Sequence, residues 1–77
     1  MIDYKQRIES NYSVMLGKPV IKGTRITVEL ILKKLAGGFS VEDILKSYDH
    51  LQKDDILAAI EYAASVIADE QTIEPVK

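Results

Sequence analysis

The stretch TVELILKKLAGGFSVEDILKSY, Thr27–Tyr48, decides the fold. Val28, Ile31, Leu32 and Leu35 fall at i, i+3, i+4 and i+7, the spacing of one face of an α-helix. Thr27 stands where a helix N-cap is needed, and Glu29 lies in the first turn, where the macrodipole favours a carboxylate. The Gly37-Gly38 pair then ends the run without the cost of a Cβ in a left-handed conformation. These signals predict a helix over 28–36. The pattern restarts at once. Ser40 and Asp43 have the spacing of a capping box, with Asp in place of the usual Glu, and Val41, Ile44, Leu45 and Tyr48 repeat the apolar face. A second helix is predicted over 41–48.

Toward the C-terminus, Asp49-His50-Leu51-Gln52 is a tight link. Lys53–Asp69 then contains no Gly or Pro and is rich in Ala, Ile and Leu, which predicts a long third helix over 53–69. Its apolar residues are too many for one stripe. Ile56, Ile60, Ala63 and Ile67 make one face with Leu57 and Ala64 beside it, while Ala59, Tyr62 and Val66 lie to the other side. Two short neighbours cannot cover so broad a surface, so part of this helix is expected to face another chain. Residues 70–77, with Pro75 and no periodicity, read as a terminal tail.

Toward the N-terminus, Lys22-Gly23-Thr24 breaks an extended stretch. Tyr12, Val14 and Leu16 alternate with Ser13 and Met15, Gly17-Lys18-Pro19 has turn chemistry, and Val20-Ile21 is a β-branched pair. This predicts a hairpin over 12–21, which must pack on helices or pair with another chain to be stable. Tyr12, Val14 and Leu16 therefore join Ala59, Tyr62 and Val66 as candidates for a dimer or partner interface. Gly17, Gly23, Gly37 and Gly38 are the candidate structural turns. Residues 1–11 carry few apolar side chains without a period and read as a loosely ordered arm. The expected fold is mainly α: a three-helix, helix-turn-helix-like bundle with a short N-terminal hairpin, forming one domain over 12–69.

Composition limits what such a domain does. Seventy-seven residues make one domain at most, and a chain this short buries only about 60 to 65 % of the surface its unfolded form exposes. There is no Cys and one His, so neither a disulfide nor a structural zinc supplements the core, and dimerisation is expected. No run approaches the roughly 18 apolar residues of a membrane span, and Met1–Ser10 is too polar for a signal peptide. A cytoplasmic location without membrane contact is expected. Catalytic groups are scarce. His50 sits in a link, where capping or packing suits it better than catalysis, and the macrodipole accounts for Asp54 and Asp55 in the first turn of the third helix. No catalytic residue, metal site or cofactor is expected, and a non-enzymatic binding protein is.

Charge divides the chain. Residues 1–38 carry seven basic and three acidic side chains, a balance of +4, whereas residues 39–77 carry three basic and nine acidic, a balance of −6. A basic face attracts phosphate or acidic protein, although an ordinary solvated distribution reads the same way. Gly17–Arg25 has glycines and cations but not the GxxxxGK[ST] order of a phosphate-binding loop. Arg25 either ties this turn to a helix end or contacts a phosphate. In a helix-turn-helix the third helix would enter the major groove, but here it opens Lys53-Asp54-Asp55 and offers little for base reading beyond Gln52 and Lys53. If DNA is bound, Lys18, Lys22, Arg25, Lys33 and Lys34, with Lys5 and Arg7, are the expected contacts.

The run Gly17-Lys18-Pro19-Val20-Ile21-Lys22-Gly23-Thr24-Arg25-Ile26, followed by Val28, Leu35-Ala36-Gly37-Gly38, Glu42-Asp43-Ile44-Leu45, Tyr48, His50-Leu51, Ala58-Ala59 and Tyr62-Ala63, resembles the domain-of-unknown-function 433 family, described as VapB-type antitoxin-like. The likeness extends over roughly Tyr12–Ala68. It departs from the family pattern at Leu16, where that pattern often has Gly, and at Thr27 and Asp49, where it often has Pro. The resemblance implies a small, usually dimeric helix-turn-helix domain paired with a PIN-like nuclease toxin, whose active site gathers carboxylates around metal ions. It implies an antitoxin that blocks this nuclease by protein contact and possesses, in some members, operator-binding activity. On that reading the acidic residues Asp69, Glu70 and Glu74 are expected to cover the toxin's basic RNA channel. The alternative is a stand-alone dimeric DNA-binding regulator without a toxin.

Overall fold

The computed structural model describes residues 3–70. In chain order it places a 3-10 turn at Tyr4–Gln6, strand β1 at Ile8–Glu9, a second 3-10 turn at Met15–Gly17, strand β2 at Val20–Ile21, and helices α1 at Val28–Ala36, α2 at Val41–Ser47 and α3 at Lys53–Glu70. Three helices and a two-stranded antiparallel sheet make the domain mainly helical.

The helix ends follow from local chemistry. The Thr27 hydroxyl accepts the Leu30 N–H at 3.0 Å and starts α1. At its other end the Gly38 N–H donates to the Leu35 carbonyl and the Phe39 N–H to the Lys34 carbonyl, each at 3.0 Å, with Gly38 at φ +101°. That is the pattern in which a left-handed residue closes a helix. Lys34 lies 4.8 Å over the Phe39 ring and holds the linker against the helix. For α2 the capping box is complete: the Asp43 N–H donates to the Ser40 hydroxyl at 3.0 Å, and the Ser40 N–H to the Asp43 carboxylate at 2.9 Å. The Ser40 N–H first, and then the Ser40 hydroxyl, hold the Asp43 carboxyl below its ordinary pKa.

Of the hairpin expected over 12–21, only Val20–Ile21 is a strand, and its partner lies before that span. β2 pairs with β1 in the register Ile8↔Ile21 and Glu9↔Val20, and its other edge meets Thr27 in an isolated bridge. The tight turn is therefore Lys22–Arg25, closed by the Thr24 N–H on the Ile21 carbonyl at 2.9 Å, with Gly23 at φ +81°. The stretch Tyr12–Leu16 does not form a strand, despite its alternation, because the Asn11 side chain takes the Ser13 N–H at 3.0 Å and folds the chain into a turn.

Nor is the N-terminal segment a loose arm over the residues described. Tyr4 packs edge-on against Tyr62 of α3, with ring centroids 5.4 Å apart, and Ile8 is buried. The tail expected over 70–77 falls outside the described residues from 71 onward, and α3 itself continues to Glu70.

The core gathers residues of both strands and all three helices. Ile31 of α1, Ile44 of α2 and Ile56 of α3 are fully buried, with Ile21, Val28, Leu51 and the small Ala58 and Ala59 between them. Each large aliphatic side chain so buried contributes about 1.5–3 kcal/mol. The core uses only the first half of α3. Ile60 is 40 % exposed and Ile67 54 % exposed, so the stripe Ile56–Ile60–Ala63–Ile67 is not one buried face.

Candidate functional site

Beyond its N-terminal half, α3 continues past the core alongside α1, and an open apolar groove of roughly 500 Å³ runs between the two helices. Val28, Leu32 and Ala36 line it from α1, and Tyr62, Ala63, Val66 and Ile67 from α3, with Pro19 at one end. The i, i+4, i+8 spacing of the α1 set and the i, i+1, i+4, i+5 spacing of the α3 set turn both groups toward the same space. Charges are confined to the rim. Glu29 accepts an ion pair from Lys18 at 3.2 Å and lies 4.0 Å from Lys33.

The candidate interface residues divide into three groups. Tyr62 and Val66 meet in the groove. Ala59 is fully buried in the core and is not available to a partner, because the helix is rotated to seat its smallest side chains against the other elements. Tyr12 and Leu16 are 77 % and 76 % exposed, and Val14 is half-buried, on the loop that precedes β2. Leu32, Ala36 and Pro19 escaped the sequence reading as groove residues. Leu32 was assigned to a core face, although an arc holding Val28, Leu30, Ile31, Leu32, Leu35 and Ala36 is wider than a buried stripe requires.

The candidate nucleic-acid residues are likewise dispersed. Lys18 and Lys33 share Glu29, and Lys34 lies against Phe39, so three of the five have a local partner. Lys22 and Arg25 are exposed on the turn after β2, and neither side chain makes a hydrogen bond or ion pair among the described residues. Arg25 therefore does not tie the turn to a helix end. Arg7 faces inward: it donates to the Asp55 carboxylate at 2.9 Å and to the Gln52 side-chain carbonyl at 3.4 Å, and lies 3.7 Å from Asp54. Asp55 also accepts the Gln52 N–H at 2.8 Å and is itself buried. The first turn of α3 is thus filled by its own carboxylates and by Arg7, which leaves that end poorly suited to a phosphate.

Of the four candidate turn glycines, Gly17, Gly23 and Gly38 have positive φ, and Gly37 has an ordinary φ of −82° at the end of α1. His50 is exposed and stands 3.9 Å from Asp49, beyond hydrogen-bond distance. No group of three His, Cys, Asp or Glu side chains suited to a metal ion occurs among the described residues. No helix among them is long and apolar enough to cross a membrane.

Comparison with known proteins gives no match to a curated protein and none to a solved structure. A family model described as "Protein of unknown function (DUF433)" matches residues 8–63, from β1 to the middle of α3, with the whole of the groove-forming α1 inside it. This span is well over half of the sequence, and the chain belongs to the DUF433 family.

Proposed function

We propose that this chain is an antitoxin-type binding protein that neutralises a PIN-like nuclease toxin by protein contact, with the groove between α1 and α3 as its docking surface. The observation that carries the reading is the groove itself: a lining almost wholly of apolar side chains, left open among the described residues of a small domain. Exposed apolar surface of this kind on a small soluble-type fold is normally covered by another chain. The VapB-type label comes from the sequence resemblance, and on this reading the partner docks in the groove.

The test is co-purification of the tagged protein with the product of the neighbouring gene, followed by RNase assay of the pair and of the separated partner. A nuclease that is silent in the pair and active alone is the expected result. Recovery of the protein without that product, or of a pair whose nuclease is already active, overturns it.

Operator binding by a helix-turn-helix dimer is a second activity on the same reading, and the exposed turn carrying Lys22 and Arg25 is what favours it. Lys18 and Lys33 already share a carboxylate, so few phosphate contacts are expected per subunit. The slope of log affinity against log salt should be near −0.9 for each contact, and it should become shallower in a Lys22→Glu/Arg25→Glu double variant. An unchanged slope removes these residues from the interface.

A further inference from the structure

Between β1 and β2 the chain makes a compact excursion whose geometry the groove does not explain. Asn11 accepts the Ser13 N–H at 3.0 Å and the Ser13 hydroxyl at 2.8 Å, and Asn11 and Val14 form an isolated bridge. Met15 and Leu16 then adopt φ +52° and +56°, the only non-glycine residues among those described with positive φ, and Gly17 follows at +86°. Left-handed backbone at a residue with a Cβ is costly and persists where surrounding contacts over-determine it. Here the loop's own hydrogen bonds hold it. The result is a knob that presents Tyr12 and Leu16 to solvent, with Met15 beside them. Among the described residues eight large apolar side chains are exposed: these three form the knob, and two others, Val66 and Ile67, line the groove.

Knob and groove are neighbours. Lys18, the residue that follows the knob, is bonded to Glu29 on the rim of the groove, and Pro19 lines the groove's end. From Asn11 to Gly17 the loop carries no charged residue, so its entry into an apolar groove leaves no charge to desolvate. A two-fold axis passing between a projection and an adjacent recess sets each projection into the other copy's recess. We propose that the occupant of the groove in the free protein is a second copy of this chain, whose Tyr12–Leu16 knob is inserted reciprocally. The inference rests on the reading of the groove as a protein-docking surface. It adds that the partner nuclease and the second copy compete for it.

The experiment is analytical ultracentrifugation of the full chain and two variants. Leu16→Asn removes the apolar tip and puts a residue tolerant of left-handed backbone at that position, and Ile67→Lys places a charge in the groove. Both positions are mostly exposed, and circular dichroism melts verify that the variants fold. The expected outcome is a wild-type dimer at micromolar concentration, with each variant weakened at least about tenfold in dimerisation. An equimolar mixture of the two variants should recover association, because one knob and one groove remain intact in the heterodimer. A Leu16→Asn protein that dimerises like wild type, or a mixture that stays monomeric, overturns the proposal. Capture of the neighbouring-gene product separates this from the function reading. Leu16→Asn should retain or increase capture, and loss of capture by Leu16→Asn contradicts competition between the nuclease and the second copy. Failure of the wild type to capture the product, with dimerisation as described, counts against the antitoxin reading alone.

Discussion

Arg7 and Asp55 stand 48 positions apart, and their contact fixes the N-terminal segment to the start of α3. The Asp55 carboxylate retains 12 % of its side-chain exposure and Arg7 33 %, so the pair is only partly screened by solvent. Asp55→Ala also removes the acceptor for the Gln52 N–H and should cost about 2 kcal/mol, with Arg7→Ala nearer 1 kcal/mol. A double-mutant cycle in urea should return a coupling of about 1 kcal/mol; strict additivity would show that the contact adds nothing to stability. Sequence alone could not show this pair, because charge and position made Arg7 a phosphate contact and made Asp55 a helix-dipole residue. Nothing local links the two. The glycines that end α1 offer a sharper contrast. Gly38→Ala forces a Cβ into left-handed backbone and should lower stability by about 1 kcal/mol even though space is open around it. Gly37→Ala, at an ordinary φ, should cost distinctly less, and equal losses in the two melts would contradict the assignment of Gly38 as the closing residue.

Helix ends were legible because their determinants lie within four residues of one another. Thr27 before Val28, Ser40 three residues before Asp43, and Gly37-Gly38 after Ala36 each act locally and hold in the structure. Strand pairing depends on partners distant in sequence. The alternation Tyr12–Leu16 resembled a strand, yet the Asn11 side chain turned the chain there and β2 paired with Ile8–Glu9 instead. The third helix was recognised from its composition, but its apolar stripe was not, since only packing decides that Ala58 and Ala59 face the core while Ile60 and Ile67 do not. The capping box of α2 gives this scale its prediction. Ser40→Ala should destabilise the fold by about 1 kcal/mol at neutral pH. Asp43 has its folded-state pKa lowered by the Ser40 N–H and then by the Ser40 hydroxyl, so its contribution is present above the unfolded-state carboxylate pKa and is lost as pH falls through the lowered folded value. The stability difference between wild type and Asp43→Asn should therefore be largest near neutral pH and shrink on acidification. A difference that grows toward acid reverses the sign and contradicts this account.

At the scale of the molecule, a small domain whose core takes mostly one half of its longest helix leaves an apolar face of the other half uncovered among the described residues. The apolar surplus was legible as a count of residues on α3, but the groove was not, because it also needs Val28, Leu32 and Ala36 of α1 turned toward that half. The same geometry separates a docking surface from ordinary exposed hydrophobics: Ile67 lies in the groove, while Ile60, on the same helix and comparably exposed, lies outside it. The central claim is that the groove is where another protein binds. Its most direct measurement is a calorimetric titration of the purified neighbouring-gene product into wild type, Ile67→Lys and Ile60→Lys. Placing a lysine where an isoleucine is buried on binding should weaken the Ile67→Lys complex at least about tenfold, with Ile60→Lys within about twofold of wild type. Equal affinities for all three proteins, or a larger loss at Ile60, would place the partner on another surface.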